Sequence, residues 1–227
     1  MNAPFKIVFE NESWIVVEKP AQYLSVPSRM GRDDSRPVVG LLLQDHLGQQ
    51  IFPVHRLDFE VSGLLIFAKN EKAHRFGNQI FETSQVQKTY RALSLVSPEA
   101  HFNFGKPHQE WVSKILKGKK RSYESPVGKN SVTQVFFLET RKILDREFWV
   151  WNLNPITGRS HQLRFEMYKH KMPILGDSLY GSDFKTPLQT GIGLRAFELK
   201  LSSINSIHSL GLPQILQIEP ELKWVSE

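Results

Sequence analysis

The chain contains no cysteine. That excludes disulfides, thiolate zinc sites and a cysteine nucleophile together, and it fits a reducing compartment. No stretch approaches the roughly 20 apolar residues needed to span a bilayer, and the run Leu41-Leu42-Leu43 is soon broken by polar residues. The N-terminal residues lack the charged, apolar and small-residue regions of a signal peptide, with Glu10, Asn11 and Glu12 interrupting them early. A cytoplasmic protein without membrane contact is expected. There is no HExxH and no pair of histidines at i, i+4, so no metal is expected. No glycine-rich nucleotide-binding motif is present either.

What is there suffices for a folded protein. With 227 residues, 40% of them hydrophobic, the chain can fill a sizeable core. A net charge of +6 and a pI near 9.5 favour a polyanionic partner. The cations are unevenly spread. Lys114, Lys117, Lys119, Lys120 and Arg121 form a run with no acidic residue among them, and Lys129 follows. Such a run is either a solvated loop or a phosphate-contact element.

Periodicity places the elements. Lys6 to Phe9 and Trp14 to Val17 read as short strands around the Asn11-Glu12 turn. Apolar residues at 38, 39, 42, 43 and 47 give Val38 to Leu47 the spacing of a helix with one buried face. Leu64 to Ala68 reads as a buried strand, and Asn70 is placed to cap a helix running to about Thr83. Strands are expected at 86–96, 132–139, 147–153, 194–201 and 214–218, and a helix from His161 to about His170 behind the cap chemistry of Thr157-Gly158-Arg159-Ser160. The Gly-, Lys- and Pro-rich stretch 101–130 reads as loop with short extended pieces. Strands outnumber helices without a regular βαβ repeat, so the class is α+β with a largely antiparallel sheet. No linker divides the chain, and a single domain over residues 1–227 is expected.

One segment combines chemistry with a strand. In His55-Arg56-Leu57-Asp58 a carboxylate stands two residues after an arginine, at a turn that runs through Gly63 into the apolar strand. In extended backbone, residues i and i+2 face the same side, so Arg56 and Asp58 can share a cleft. By itself an Asp in a polar turn is most simply a turn former.

Several segments taken in order resemble the RluA-type pseudouridine synthases: Glu18-Lys19-Pro20-Ala21 with Leu24-Ser25-Val26-Pro27, the His55 to Asp58 segment with Ser62-Gly63, and Lys88-Thr89-Tyr90-Arg91-Ala92. Beyond these come Gly128-Lys129 with Thr133, Thr157-Gly158-Arg159-Ser160-His161-Gln162-Leu163-Arg164, and Pro173-Ile174-Leu175-Gly176-Asp177 with Leu179-Tyr180-Gly181. The resemblance implies a mostly antiparallel, bent mixed sheet flanked by helices and loops around a central basic cleft. It implies conversion of a uridine within ribosomal or transfer RNA to its C5-linked isomer, without cofactor.

By the same resemblance Asp58 is the catalytic aspartate, which must act ionised, as carboxylates do at electron-poor sugar carbons. Arg164 matches the arginine that pairs with it. Tyr90 matches the tyrosine that lies against the target base, and Arg56 the residue that helps displace the nucleotide and fills the vacancy. RNA contacts are further expected at Lys19, Lys88, Arg159, Lys117, Lys119, Lys120 and Arg121. Departures stand at Val61, Glu166 and Leu194-Arg195-Ala196, where the family commonly carries threonine, histidine and Leu-His-Ala. Many relatives add an N-terminal RNA-binding domain of the S4 type. Here the matching pattern starts within the first ten residues, so a stand-alone, monomeric catalytic domain is expected. An inactive RNA-binding protein of the same fold and a carboxylate-dependent nucleosidase are the alternatives.

Overall fold

A computed structural model describes residues 4–143, 146–182, 191–201 and 209–222. The chain forms two compact units, one made of residues 1–87 with 196–219 and the other of 88–195 with 220–227.

The first unit contains strands β1 (Lys6–Glu10), β2 (Trp14–Lys19), β3 (Phe52–Pro53) and β4 (Ser62–Ala68), with helices α1 (Val39–Leu47) and α2 (Glu71–Glu82). Most of β10 (Leu194–Leu201) and β11 (Ile215–Gln217) also belongs to it. Its strands run in the order β1-β2-β4-β10, with β3 on β4 and β11 on β10. Strand β2 pairs antiparallel with β4, Val16 opposite Ile66 and Val17 opposite Leu65. Because opposite residues share a face, one face presents Trp14, Val16, Leu64 and Ile66 to Ala73 and Ile80 of α2. The other presents Ile15, Val17, Leu65 and Phe67 to Val39 and Leu43 of α1. Covering both faces explains why β2 and β4 are apolar runs rather than alternating ones.

Asn70 caps α2 as its sequence requires, its side-chain oxygen accepting from the Ala73 N–H at 2.9 Å. Gly63 opens β4 with φ of +127°. A Cβ there would overlap the Ala196 carbonyl oxygen, so glycine is what permits the approach of β10.

The second unit contains most of β5 (Val86–Leu95), then β6 (Gln109–Lys117), β7 (Ser122–Glu124), β8 (Lys129–Ile143), β9 (Arg146–Pro155) and α3 (Gln162–Lys169). The strand order is β5-β9-β8-β6-β7, with every neighbouring pair antiparallel. The loop expected over 101–130 is therefore corrected: much of it is a β6–β7 hairpin. Trp111, Ser113 and Ile115 point inward from β6 while Val112 is exposed. The strand alternates, but a serine takes an inner position and a valine an outer one, which hides the pattern.

In α3 six consecutive residues from Gln162 to Met167 are buried, Leu163 and Met167 among them, and the expected cap is not formed. Its N-cap, His161, sits at φ of +51° without a capping side chain. Instead the Thr157 hydroxyl donates to the Gln162 side-chain oxygen at 2.8 Å, and that oxygen also accepts from the Arg159 N–H at 2.9 Å. The turn chemistry is used, one step away from the cap.

Candidate active site

In the first unit, the turn carrying Asp58 is clamped on both sides. The Ser25 hydroxyl donates to the Leu57 carbonyl at 2.9 Å and accepts from the Leu57 N–H at 3.0 Å, both groups buried. After the aspartate, the Val61 N–H donates to the Asp58 carbonyl and the Gln22 N–H to the Phe59 carbonyl. His55 accepts from the Ile66 N–H at 3.1 Å and stacks on Phe81, fixing the segment to β4. Asp58 itself is half-buried and Arg56 exposed. The guanidinium of Arg36 lies 4.9 Å from the ring centroid of Phe59.

Lys19 requires a correction. It is expected among the RNA contacts, yet it is 0% exposed. Its ammonium donates to the carbonyls of Pro20, Tyr23 and Phe59 at 2.9, 2.7 and 3.4 Å. A cation enclosed in this way cannot reach a phosphate; it ties β2 to the turn of Asp58. Burial pulls its pKa down to about 7, against the opposing pull of Asp58 and Glu60.

Between about 7 and 10.5 the folded protein binds fewer protons at Lys19 than the unfolded chain does, so this group's contribution to stability grows with pH and is lost as pH falls from 10.5 to about 7. Lys19→Met should flatten that rise, read from urea unfolding across the window. A slope identical to the wild type's would refute the assignment.

In the second unit, Tyr90 lies on β5 opposite Leu153 and is half-buried. Lys88, two residues earlier, is half-buried and its pKa is lowered by desolvation. Its ammonium stands 3.8 Å from where a Cβ on Gly158 would be. Lys88 thus lies against the start of the Thr157 to Arg164 motif. Arg159 donates from Nε to the Asn130 carbonyl at 2.8 Å.

Arg164 is 1% exposed and binds Asp177 in bidentate fashion, Nε to one carboxylate oxygen at 2.7 Å and an Nη to the other at 2.8 Å. Its guanidinium also lies over the Tyr180 ring. Asp177 stands within a matching motif, but nothing in its spacing marks it as Arg164's partner; the pairing comes from the turn that follows α3. Lys117, Lys119, Lys120 and Arg121 are exposed at the end of β6 and in the turn after it.

Glu166, one of the departures, is buried and accepts from Ser113 at 3.1 Å and Ser131 at 3.2 Å. Desolvation raises its pKa, opposed by the two hydroxyls and Lys169. A carboxyl whose folded pKa is raised contributes most below its ordinary value of 4.5 and loses that contribution as pH rises through the raised value. Glu166→Gln should therefore raise the unfolding midpoint at neutral pH. The gain should vanish in acid, a crossover that thermal unfolding at the two pH values would detect or dismiss.

Among the described residues, no three histidine, aspartate or glutamate side chains form a group able to hold a metal ion.

Residues 13–169 match the family described as RNA pseudouridylate synthase. The chain is 34% identical over 180 residues to an uncharacterized RNA pseudouridine synthase of Helicobacter pylori, covering 78% of this chain and 58% of that protein. It is 30% identical over 181 residues to tRNA pseudouridine synthase C of Vibrio cholerae, covering 78% of this chain and 74% of that one. The chain thus spans less than two thirds of the length of the Helicobacter relative. In fold it is similar to human RNA pseudouridylate synthase domain containing 1, with a TM-score of 0.69 at 22% identity over 87% of this chain and 78% of the other. The matched span contains the clamped Asp58 turn, the strand of Tyr90 and the buried guanidinium of α3, and on that match the chain belongs to the RNA pseudouridylate synthase family.

Proposed function

We propose that this protein isomerises uridine within ribosomal or transfer RNA to pseudouridine, acting as a monomer in the cytoplasm. The observation that carries the reading is the family match over residues 13–169, which encloses Asp58, Tyr90 and Arg164. A uridine within folded RNA must leave its stack before a side chain can reach C1′. Arg56, exposed two residues before Asp58, takes that step, because a planar guanidinium stacks on bases and bonds to phosphates where an ammonium does less well.

The carboxylate of Asp58 then acts on the sugar, either by adding to C1′ or by promoting elimination, and the N1–C1′ bond breaks with its electron pair leaving on the uracil. The detached base turns, C5 bonds to C1′, C5 gives up its proton and N1 gains one. No electron is gained or lost. The Tyr90 ring holds the base by stacking, and its hydroxyl relays the C5 proton. Arg164 supplies buried positive charge that the ionised acid requires.

RNA labelled with tritium at uridine C5 tests the reading. Release of tritium to water without free uracil is the expected result. Binding without release would identify an inactive RNA-binding protein, and free uracil a nucleosidase.

A further inference from the structure

The steps assigned to Asp58, Tyr90, Arg56 and Arg164 leave one conspicuous surface without a use. Lys117 and Ser122 stand opposite each other at the end of the β6–β7 hairpin, and the Gly118 N–H closes the turn on the Arg121 carbonyl at 3.0 Å. Lys117, Lys119, Lys120 and Arg121 all face solvent. Glu124, the carboxylate of β7, is bound by the Lys169 ammonium at 2.7 Å.

The tip is held in place. The Ser122 N–H donates to the Tyr180 hydroxyl and the Ser122 hydroxyl to the Ser160 carbonyl, each at 2.7 Å. Positioning it beforehand lowers the ordering cost of binding.

Two exposed rings accompany the cations. Tyr123 is 47% exposed, its ring lying over the turn so that a Cβ on Gly118 would meet it at 3.1 Å. Tyr168 of α3 is 41% exposed, with the Arg121 guanidinium 5.9 Å from its centroid. Lysines alone suffice for an acidic partner. Flat rings and a planar cation among them match the π-faces of unpaired bases.

We propose that this hairpin tip, together with Tyr168, binds a single-stranded segment of the substrate RNA, the Tyr168–Arg121 pair stacking on one unpaired base and Tyr123 on another while Lys117, Lys119 and Lys120 take the intervening phosphates. Tyr123 neighbours Ser122 along β7 and so points to the opposite face, which means the strand passes over the turn from one ring to the other. The inference rests on the RNA reading above and narrows the substrate class to RNA with unpaired nucleotides near the target uridine.

Fluorescence anisotropy of the full chain with labelled oligouridylate tests it. Tyr168→Ala and Tyr123→Ala should each weaken binding about tenfold, and the phenylalanine variants, which keep each ring and, for Tyr168, its packing on Tyr180, should bind normally with unchanged thermal unfolding. Replacing Lys117, Lys119 and Lys120 by alanine should lower the salt slope by about 2, at about 0.7 per phosphate. Tyrosine variants that bind like the wild type would overturn the proposal. So would an equal loss on duplex RNA, whose base faces are hidden, or a preference for polyglutamate over oligouridylate. Tritium release by the wild type separates this from the activity itself: release with unaffected tyrosine variants removes the platform alone, whereas the expected binding pattern without release removes the activity alone.

Discussion

Asp58→Asn should lower tritium release at least about a thousandfold while leaving RNA affinity and the unfolding midpoint close to wild type. The amide preserves shape and the backbone bond from Val61 to the residue 58 carbonyl, and Ser25 continues to hold Leu57 from both sides. What disappears is the negative charge. A second effect should accompany the first: because Asp58 favours the charged form of Lys19, its neutralisation should depress the Lys19 pKa further. NMR of the lysine ammonium would report that shift independently of turnover. Equal losses of binding and turnover would make Asp58 a structural residue, and full turnover would remove it from the chemistry.

The sequence exposes those parts of the fold whose burial is apolar. Strand β10 falls at Leu194–Leu201 as expected, β4 is a continuous apolar run, and α2 begins at its asparagine cap. The elements that escape share a physical cause. Ser113 of β6 and Ser131 of β8 are buried because Glu166 accepts from both hydroxyls. Polar residues therefore stand where strand periodicity demands apolar ones, so β6 is hidden and β8 looks shorter than its span from Lys129 to Ile143.

The same limit applies to the candidate site. A carboxylate in a turn before a buried strand is legible, and so is the ordered set of motifs. A lysine whose ammonium is enclosed by three carbonyls looks, in one dimension, like any other cation. Its only signal is its place at the end of the buried run Trp14 to Val17. The Arg164–Asp177 pairing is likewise hidden, since both residues lie within matching motifs but nothing joins them before the chain is folded.

That pairing carries the largest expected effect on stability. Asp177→Asn should cost about 3–5 kcal/mol in urea unfolding, because it leaves a buried guanidinium facing an amide that cannot neutralise it. The two oxygens at 2.7 and 2.8 Å match the fork of an arginine, a geometry lysine cannot reproduce. The carbonyl of Asp177 also accepts from the N–H groups of Tyr180 and Ser182. The charged side chain thus anchors the turn whose tyrosine holds Ser122 at the hairpin tip. Replacing both partners with apolar residues, Arg164→Met with Asp177→Leu, should recover part of the loss, since neither charge then remains to be solvated. The combined variant should stay inactive for want of the guanidinium, so stability and turnover part company. A loss below about 1 kcal/mol for Asp177→Asn, the range of an exposed pair, would mean that the Asp177 carboxylate is not what holds the buried guanidinium charge in place.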